Sequence, residues 1–474
     1  LHAVISDYLE EQEKVSPANN SFYTDQVIED VADAFVELYN LQDDPADQEN
    51  GRSAHSKAVS MIYSGGYKIY TAQNITLQQK VEAIYEDSSN LPYTRTTNGE
   101  TEQLQSGVTI VDPKTGCVAA MVGGIGPKKV DRGWNWATAT RQCGSAIKPI
   151  AVYAPALEED LISPATPVLD EKTDFGGYEP KNFSGTYSGY ISVRESLAKS
   201  VNIPAVKILN STGVSKAAEY MKKLGLEIPA DDYSLALALG GMKEGFSLNE
   251  LINAYSAFPN SGEYFSSGFI RKIVIDGRSA YHKNDRAMRV FSDDTAYLIN
   301  DMLKTAAQSG TAKKLRPLAL PIAAKTGTSG TKSGNTDAYA LSYTTEDCVG
   351  VWLGNADNSP MDITGGGLPC NIALKINEYL YSTHAPSDFV KPDGIESVTL
   401  DKAEYYATHN IMLADDDTPV EKRFSEIFKK SALPSVKSER FSHPSISAPS
   451  LSYENGRVVI RFKEGTPDYY EYLI

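Results

Sequence analysis

Cysteine and histidine are scarce in this chain, and neither is arranged for chemistry. The four cysteines, Cys117, Cys143, Cys348 and Cys370, lack zinc-type spacing and are too few for a disulfide scaffold. Cys143 would need an activated thiol to act as a nucleophile, and a buried, inert thiol is the simpler reading. The six histidines include no His-x-x-x-His pair, so no metal and no cofactor is expected. No apolar run reaches about 18 residues, so neither a membrane span nor a secretory leader is expected here. The sequence opens on Leu1 and reads as a mature or excised piece of a longer protein. Basic residues are in deficit, 45 against 61 acidic, and the net charge of -16 argues against nucleic acid or an anionic membrane as partner. Internal repeats are absent too. What remains is a globular chain of 474 residues, long enough for one large domain with smaller attachments.

Along the chain, helical and strand periodicities alternate. Val27, Val31, Phe35 and Tyr39 recur at helical spacing over 24–39. A polar linker is expected over 43–56, a strand broken by Gly65-Gly66 over 61–71, a helix over 76–86 and a loop over 88–101. Val108 to Val111, the turn Asp112-Pro113-Lys114-Thr115-Gly116 and Cys117 to Val122 predict a β-hairpin. Ser192 to Glu195 and Ser247 to Glu250 are capping boxes, opening helices that end near Ser200 and Phe258. Pro204 marks a helix start and Gly213 its stop. Strands are expected at 270–275, 321–328, 338–343 and 347–353, with helices at 293–307 and 371–381. Strands, then many helices, then strands predict an α+β fold in which one antiparallel sheet packs against helices.

Composition shifts after Tyr381. A linker begins at His384-Ala385-Pro386-Ser387, 431–450 is rich in serine and proline, and Tyr453 to Arg457 signals a hairpin. The expected domains are therefore 1–105, an N-terminal linker region; 106–384, the main domain; and 385–474, a small β-rich accessory domain. The acidic run Asp415-Asp416-Asp417 reads as a solvated turn.

Chemistry concentrates in Arg141-Gln142-Cys143-Gly144-Ser145-Ala146-Ile147-Lys148-Pro149-Ile150. A glycine bends the chain before Ser145, serine is a good helix N-cap, and the apolar run from Ala146 to Ala156 has helical length. Spacing i, i+3 puts Ser145 and Lys148 within side-chain reach. Pro149 removes an amide donor and disfavours helical geometry at Lys148. Alone, Ser-x-x-Lys reads as a capped helix with a solvated lysine, and it recurs at Ser196/Lys199 and Ser329/Lys332. Lys-Thr-Gly stands at 325–327 and also at 114–116, and Ser-x-Asn at Ser88, Ser200, Ser247 and Ser333. Only one ordered set has the right context: Ser145/Lys148 opening a helix, Ser200/Asn202 between helices, and Lys325-Thr326-Gly327 ending an apolar strand.

With that triple, roughly Met61 to Tyr381 resembles the transpeptidase domain of class A (bifunctional) penicillin-binding proteins. The likeness also rests on Gly107 to Gly124, Arg141-Gln142, Tyr178-x-Pro180-x-Asn182-Phe183, Leu237 to Gly240, Thr328, and Val351-Trp352-Leu353-Gly354. Cys143 stands where the family usually has proline, and Ala338-Tyr339-Ala340 where it has an aromatic pair. No glycosyltransferase region is present, and residues 1–39 resemble the helical stretch that normally follows one, so this piece is expected to lack polymerase activity.

The resemblance implies a serine acyl-enzyme mechanism on peptidoglycan stem peptides ending in D-Ala-D-Ala, at the extracytoplasmic face of the bacterial membrane. β-Lactam antibiotics would acylate the same serine, and other cell-wall synthesis and division proteins are expected partners. A serine hydroxyl is a weak nucleophile until a base takes its proton. An ordinary lysine, pKa near 10.4, is neutral roughly once in 10³ at pH 7, a penalty of about 4–5 kcal/mol. Burial of Lys148 and a second cation, Lys325, would lower it. Lys148 is thus the expected base for Ser145, and Ser200 the proton relay towards the leaving amine. Asn202 is expected to hold a substrate amide and orient Lys148. Lys325, Thr326 and Thr328, with Gly327 beside them, suit a peptide carboxylate, and the amides of Ser145 and Thr328 an oxyanion hole. A D,D-carboxypeptidase or a β-lactam sensor without turnover would share these motifs. A class A β-lactamase would need a glutamate at Glu-x-x-Leu-Asn, and Glu244 to Asn249 is one residue out of register.

Overall fold

The computed structural model describes residues 19–43, 53–97, 99–284, 286–442, 450–454 and 456–461. Most of the expected polar linker, the first 18 residues of the expected N-terminal helical stretch, Asn455 of the late hairpin and residues 443–449 of the serine/proline run lie outside them. The chain divides into two compact units, 1–164 with 168–393, and 165–167 with 394–474. Among the described residues no helix is long and apolar enough to cross a membrane.

In the larger unit, helix α1 (Phe22–Leu38) starts where the Ser21 side chain accepts the Thr24 N–H, and it buries Val27, Val31 and Phe35. Helix α2 (Ala54–Ser64) takes the place of the strand expected from Met61. Ser53 caps it, and Ala54 and Ala58 bury one face, so capping and packing outweigh the β-forming Ile62 and Tyr63. Only Lys68–Thr71 forms a strand there, β1. Helix α3 (Ile75–Glu86) is followed by the hairpin strands β2 (Leu104–Val111) and β3 (Val118–Val122). The expected loop before them contains a short strand pair, Arg95–Thr97 with Glu100–Glu102.

After Ser145 come α4 (Ala154–Glu158), α5 (Val193–Ala198), α6 (Asn202–Thr212), α7 (Val214–Lys223) and α8 (Leu248–Tyr255). The capping box at Ser247 forms in full. At Ser192 only the serine half forms, because Glu195 pairs forward with Lys199 at 2.5 Å. Then follow β4 (Ile270–Ile275), β5 (Arg278–His282), α9 (Asp293–Gln308), β6 (Ala323–Thr331), β7 (Gly334–Tyr343), β8 (Cys348–Asn355) and α10 (Leu368–Leu380). The central sheet has the order β6-β7-β8-β2-β3, every pairing antiparallel, and β1-β4-β5 form a smaller sheet. The fold is the expected antiparallel sheet against helices.

Strand alternation sends side chains to two faces. Val108, Ile110, Ala338, Ala340, Val349, Val351 and Leu353 share a core with Leu77 and Val81 of α3 and with Ile372 and Ile376 of α10. The row in opposite phase, Gly327–Tyr339–Trp352–Gly107, looks the other way, towards Ala146 and the serine segment. Arg141 ties that segment down. Its Nε donates to Asp337 Oδ1 at 2.6 Å, and its guanidinium lies 4.9 Å from the Trp352 ring centre. Trp352 stacks on Trp136 and donates its indole N–H to the same carboxylate oxygen at 3.1 Å.

In the smaller unit β9 (Ile395–Asp401) pairs with β10 (Arg423–Lys429), and α11 (Lys402–Thr408), capped by Asp401, lies between them in sequence. Leu400, Phe428 and Ala165 form its core, and β11 (Ser450–Glu454) with β12 (Arg457–Arg461) gives the expected hairpin. Asp415 closes a turn by accepting the Thr418 N–H at 2.7 Å.

Removing one partner of a buried ion pair leaves an uncompensated charge. Asp337→Ala is therefore expected to cost about 3–5 kcal/mol in urea unfolding. A loss no larger than that of an exposed pair such as Lys222–Glu227 would show that Arg141 does not depend on it.

Candidate active site

The serine segment departs from the expected regular helix. Gly144–Ile147 is a 3₁₀ turn, Pro149–Tyr153 is π-helical, and only then does α4 begin. Ser145 lies inside the turn instead of capping it, and Lys148 is right-handed helical (φ -53°, ψ -48°) despite the proline after it. Proline explains the change of register. Having no N–H, Pro149 cannot bond back to Ser145, so the Lys148 N–H takes the Ser145 carbonyl, and the Ala154 N–H reaches back to Pro149. Gly144 has φ +51°, and a Cβ on it would collide with the Thr328 carbonyl. Gly240, at φ +79°, presses against the Gly144 backbone from another direction, where a Cβ would meet its carbonyl oxygen at 2.5 Å. Main chain on two sides thus fixes Ser145.

Two lysines are buried beside it with no exposed surface, Lys148 and Lys325. Lys148 Nζ donates to the Ser200 carbonyl at 2.7 Å, the Val201 carbonyl at 3.1 Å and Asn202 Oδ1 at 2.7 Å. Ser200 Oγ is 3.4 Å away, and Ser145 Oγ is not among the hydrogen-bond partners of Lys148. Lys325 Nζ donates to Ser200 Oγ at 2.8 Å and to the Thr326 carbonyl at 2.6 Å. Burial first, and the charge of Lys325 second, hold Lys148 well below the ordinary lysine value. Burial brings Lys325 down to about 7. Ser200 itself is left-handed, φ +58°, a conformation costing a non-glycine residue about 1–2 kcal/mol. That backbone turn aims both its carbonyl and its hydroxyl at the lysines.

Ser145, Ser200, Asn202, Thr326 and Thr328 line one cavity of about 320 Å³, whose rim includes the exposed Phe183. Gly327 sits in β6 between the two threonines, against Ala146. Thr328 Oγ1 accepts the Gly365 N–H at 3.1 Å, and Thr364 and Gly366 also line the cavity, so the loop carrying Gly365-Gly366-Gly367 forms its edge. All eight of the expected site residues are accordingly grouped together. Cys143 is fully buried and its thiol is pushed up to about 12 by desolvation, which leaves it inert. The other Ser-x-x-Lys pairs are engaged elsewhere: Ser196 with Tyr153 at 2.8 Å, and Ser329 with Asp337 at 2.7 Å. Trp136 packs on Trp352, and Trp134 is exposed beside it.

Three contributors went unassigned by sequence. Thr311 accepts the Thr326 hydroxyl at 2.7 Å and lines the cavity, yet nothing in its surroundings marked it. Asn182 was noticed only as part of a likeness. Its Oδ1 accepts the N–H groups of Asn202 at 3.0 Å and Ile203 at 3.3 Å, satisfying the first turn of α6. Asp170, buried, accepts from Asn182 Nδ2 at 2.7 Å and from the Ser188 N–H at 2.8 Å. This chain of amide and carboxylate positions the Ser200–Asn202 loop.

The lysines also set a pH dependence of stability. Both bind protons weakly when folded, whereas the unfolded chain binds them up to about pH 10.4. The unfolded state carries more protons between about pH 7 and 10, so stability should climb with pH across that window. Urea midpoints at pH 7, 8 and 9 should rise, and Lys325→Met should flatten the rise. An identical slope in the variant would contradict the assignment.

A family profile described as the penicillin-binding protein transpeptidase domain matches residues 106–360. Penicillin-binding protein 1A/1B of Bacillus subtilis is 31% identical over 393 residues, which cover 79% of this chain and 42% of that relative. Penicillin-binding protein 1F of the same organism is 33% identical over 304 residues, 63% of this chain and 41% of its own length. The chain thus spans less than half the length of these curated relatives. Among solved structures, the penicillin-binding protein PonA1 of Mycobacterium tuberculosis has a TM-score of 0.63 at 20% identity, covering 77% of this chain and 94% of that one. Its likeness concerns the fold. The profile spans more than half of the sequence and takes in the two serines and both buried lysines that meet at the cavity; the chain belongs to the penicillin-binding protein transpeptidase family, with class A relatives.

Proposed function

We propose that this chain is a D,D-transpeptidase that crosslinks peptidoglycan stem peptides at the outer face of the bacterial membrane. One observation carries the reading: the Ser200 hydroxyl is hydrogen-bonded by Lys325 and approached by Lys148, both fully buried, at the wall of the cavity that Ser145 lines. Because Ser200 Oγ accepts from Lys325, its own proton is available to a neighbour. Lys148, its proton affinity lowered, takes the Ser145 proton as the serine oxygen attacks the penultimate D-Ala carbonyl. The amides of Ser145 and Thr328 receive the developing negative charge. Ser200 passes its proton to the departing amine and takes up the one held by Lys148, 3.4 Å away, and terminal D-Ala leaves. Lys325, Thr326 and Thr328 hold the terminal carboxylate, and Asn202, fixed by Asn182, orients both Lys148 and the peptide amide. An amine from a neighbouring strand then attacks the ester carbonyl, its proton passing through Lys148 to the Ser145 oxygen as the ester bond breaks, so that the new amide forms and Ser145 is restored.

The motif set and the family support this reading, and β-lactams would enter by the same first step. A solved relative of the same fold, PonA1, is described in complex with penicillin V, at 21% identity.

Labelled penicillin should leave one stable adduct, on the peptide holding Ser145, and Ser145→Ala should abolish it. Mass spectrometry locating the label elsewhere would remove Ser145 from the role. Lys148→Ala should slow acylation by about 10²–10⁴-fold, the range for losing a general base, with the circular dichroism spectrum unchanged. An unaltered acylation rate would exclude Lys148 as the base. With stem-peptide strands, crosslinked dimers are the expected product. Trimmed tetrapeptides alone would make the chain a carboxypeptidase, and acylation without product a sensor.

A further inference from the structure

A second cavity, of about 570 Å³, lies beside the small sheet of β1, β4 and β5, away from Ser145. Three elements give it a basic lining: Lys114 from the turn between β2 and β3, Arg271 and Lys272 on β4, and His282 with Lys283 at the end of β5. Among the described residues no aspartate or glutamate lines it, although acids outnumber bases 61 to 45 in the chain. The neighbouring Asp112 is engaged within its own turn, accepting the Lys114 N–H and the Thr115 hydroxyl, both at 2.9 Å. Strand register sets Lys272 between Tyr70 and His282, so these side chains share one face.

Lys283 makes this a built site. It is 7% exposed, and its stem passes Gly268, where a Cβ would lie 2.8 Å from Cε. An ammonium has three donors. Among the described residues this one has a single hydrogen-bond acceptor, the Thr115 carbonyl at 2.8 Å, and no carboxylate. A buried cation without a counter-charge is costly unless something pairs with it. The Lys-Thr-Gly at 114–116, idle in the reaction above, thereby supplies both a rim cation and the carbonyl that aims Lys283.

We propose that this cavity binds a phosphoryl oxyanion, with Lys283 as the buried anchor and Arg271, Lys272, His282 and Lys114 around it. One carboxylate would neutralise only one of the lysine and arginine cations. A phosphate or diphosphate group brings about two charges or more, with several acceptor oxygens for arginine and lysine. The group arrives either on a soluble or polymer-borne phosphate or on a lipid headgroup. The net charge of -16 opposes broad adhesion to an anionic surface, so recognition is local.

Calorimetric titration of the full chain with inorganic diphosphate tests it, alongside co-sedimentation with phosphatidylcholine vesicles with and without phosphatidylglycerol. Saturable one-to-one diphosphate binding is expected, weakened at least about tenfold in the double variant Arg271→Glu/Lys272→Glu. The exposed Lys375→Glu on α10 should leave it unchanged. Melting followed by circular dichroism checks that the variants fold, and Lys283→Met removes the anchor directly. Vesicle binding lost in the same double variant identifies a headgroup as the source, and diphosphate binding without vesicle binding identifies a soluble or polymer-borne phosphate. Absence of saturable binding, or equal weakening by Lys375→Glu, overturns the proposal.

Discussion

Two like charges compete for one hydroxyl at the centre of this molecule. Lys148 and Lys325 both approach Ser200 Oγ, at 3.4 and 2.8 Å, and neither has exposed surface. Burial strips both ammonium ions of hydration, and the charge of Lys325 adds to the effect at Lys148, so the fold lowers the proton affinity of both. The oxygens around the two lysines differ. Lys148 faces two carbonyls and an amide oxygen, all from residues 200–202, while Lys325 has one hydroxyl and one carbonyl. The loop between α5 and α6 is thus the frame for the lysines, and it in turn depends on Asn182 and Asp170.

Local signals made much of the fold legible. Ser192 and Ser247 are N-caps in the sequence and in the structure, because a serine oxygen meeting an orphan amide is a purely local event. The strands from Ala323 to Asn355 follow from short apolar runs divided by turns, and their antiparallel order follows from the hairpin connections. The three motifs, weak singly, were legible through their order. What the sequence hid needed long-range contact. Thr311 and Asp170 are unremarkable until the chain brings them to Thr326 and Asn182. The π-helical turn after Lys148 follows from Pro149, whose effect was foreseen at the wrong residue. The proline altered the hydrogen-bond register and left Lys148 helical. At Met61 to Ser64, β-forming side chains lost to a capped helix, since propensity is a weak prior beside packing.

The two departures from the family pattern have different consequences. Cys143 contributes through its backbone, since its carbonyl accepts the Ala146 N–H and lies against Gly327, while its thiol is buried and inert. Tyr339 is buried opposite Gly327 of β6, flanked by alanines that belong to the opposite core. Its hydroxyl is buried without a hydrogen-bond partner among the described residues, a polar defect in the packing.

Gly144 and Gly240 touch backbone to backbone, and Gly144 also abuts the carbonyl of Thr328. Replacing either residue adds a methyl group where no flexible side chain stands ready to yield. Heritable escape from an inhibitor that gripped only this peptide scaffolding would therefore have few routes through these positions, because mutation exchanges side chains and leaves amides and carbonyls in place. The adaptable periphery lies instead at exposed neighbours such as Phe183.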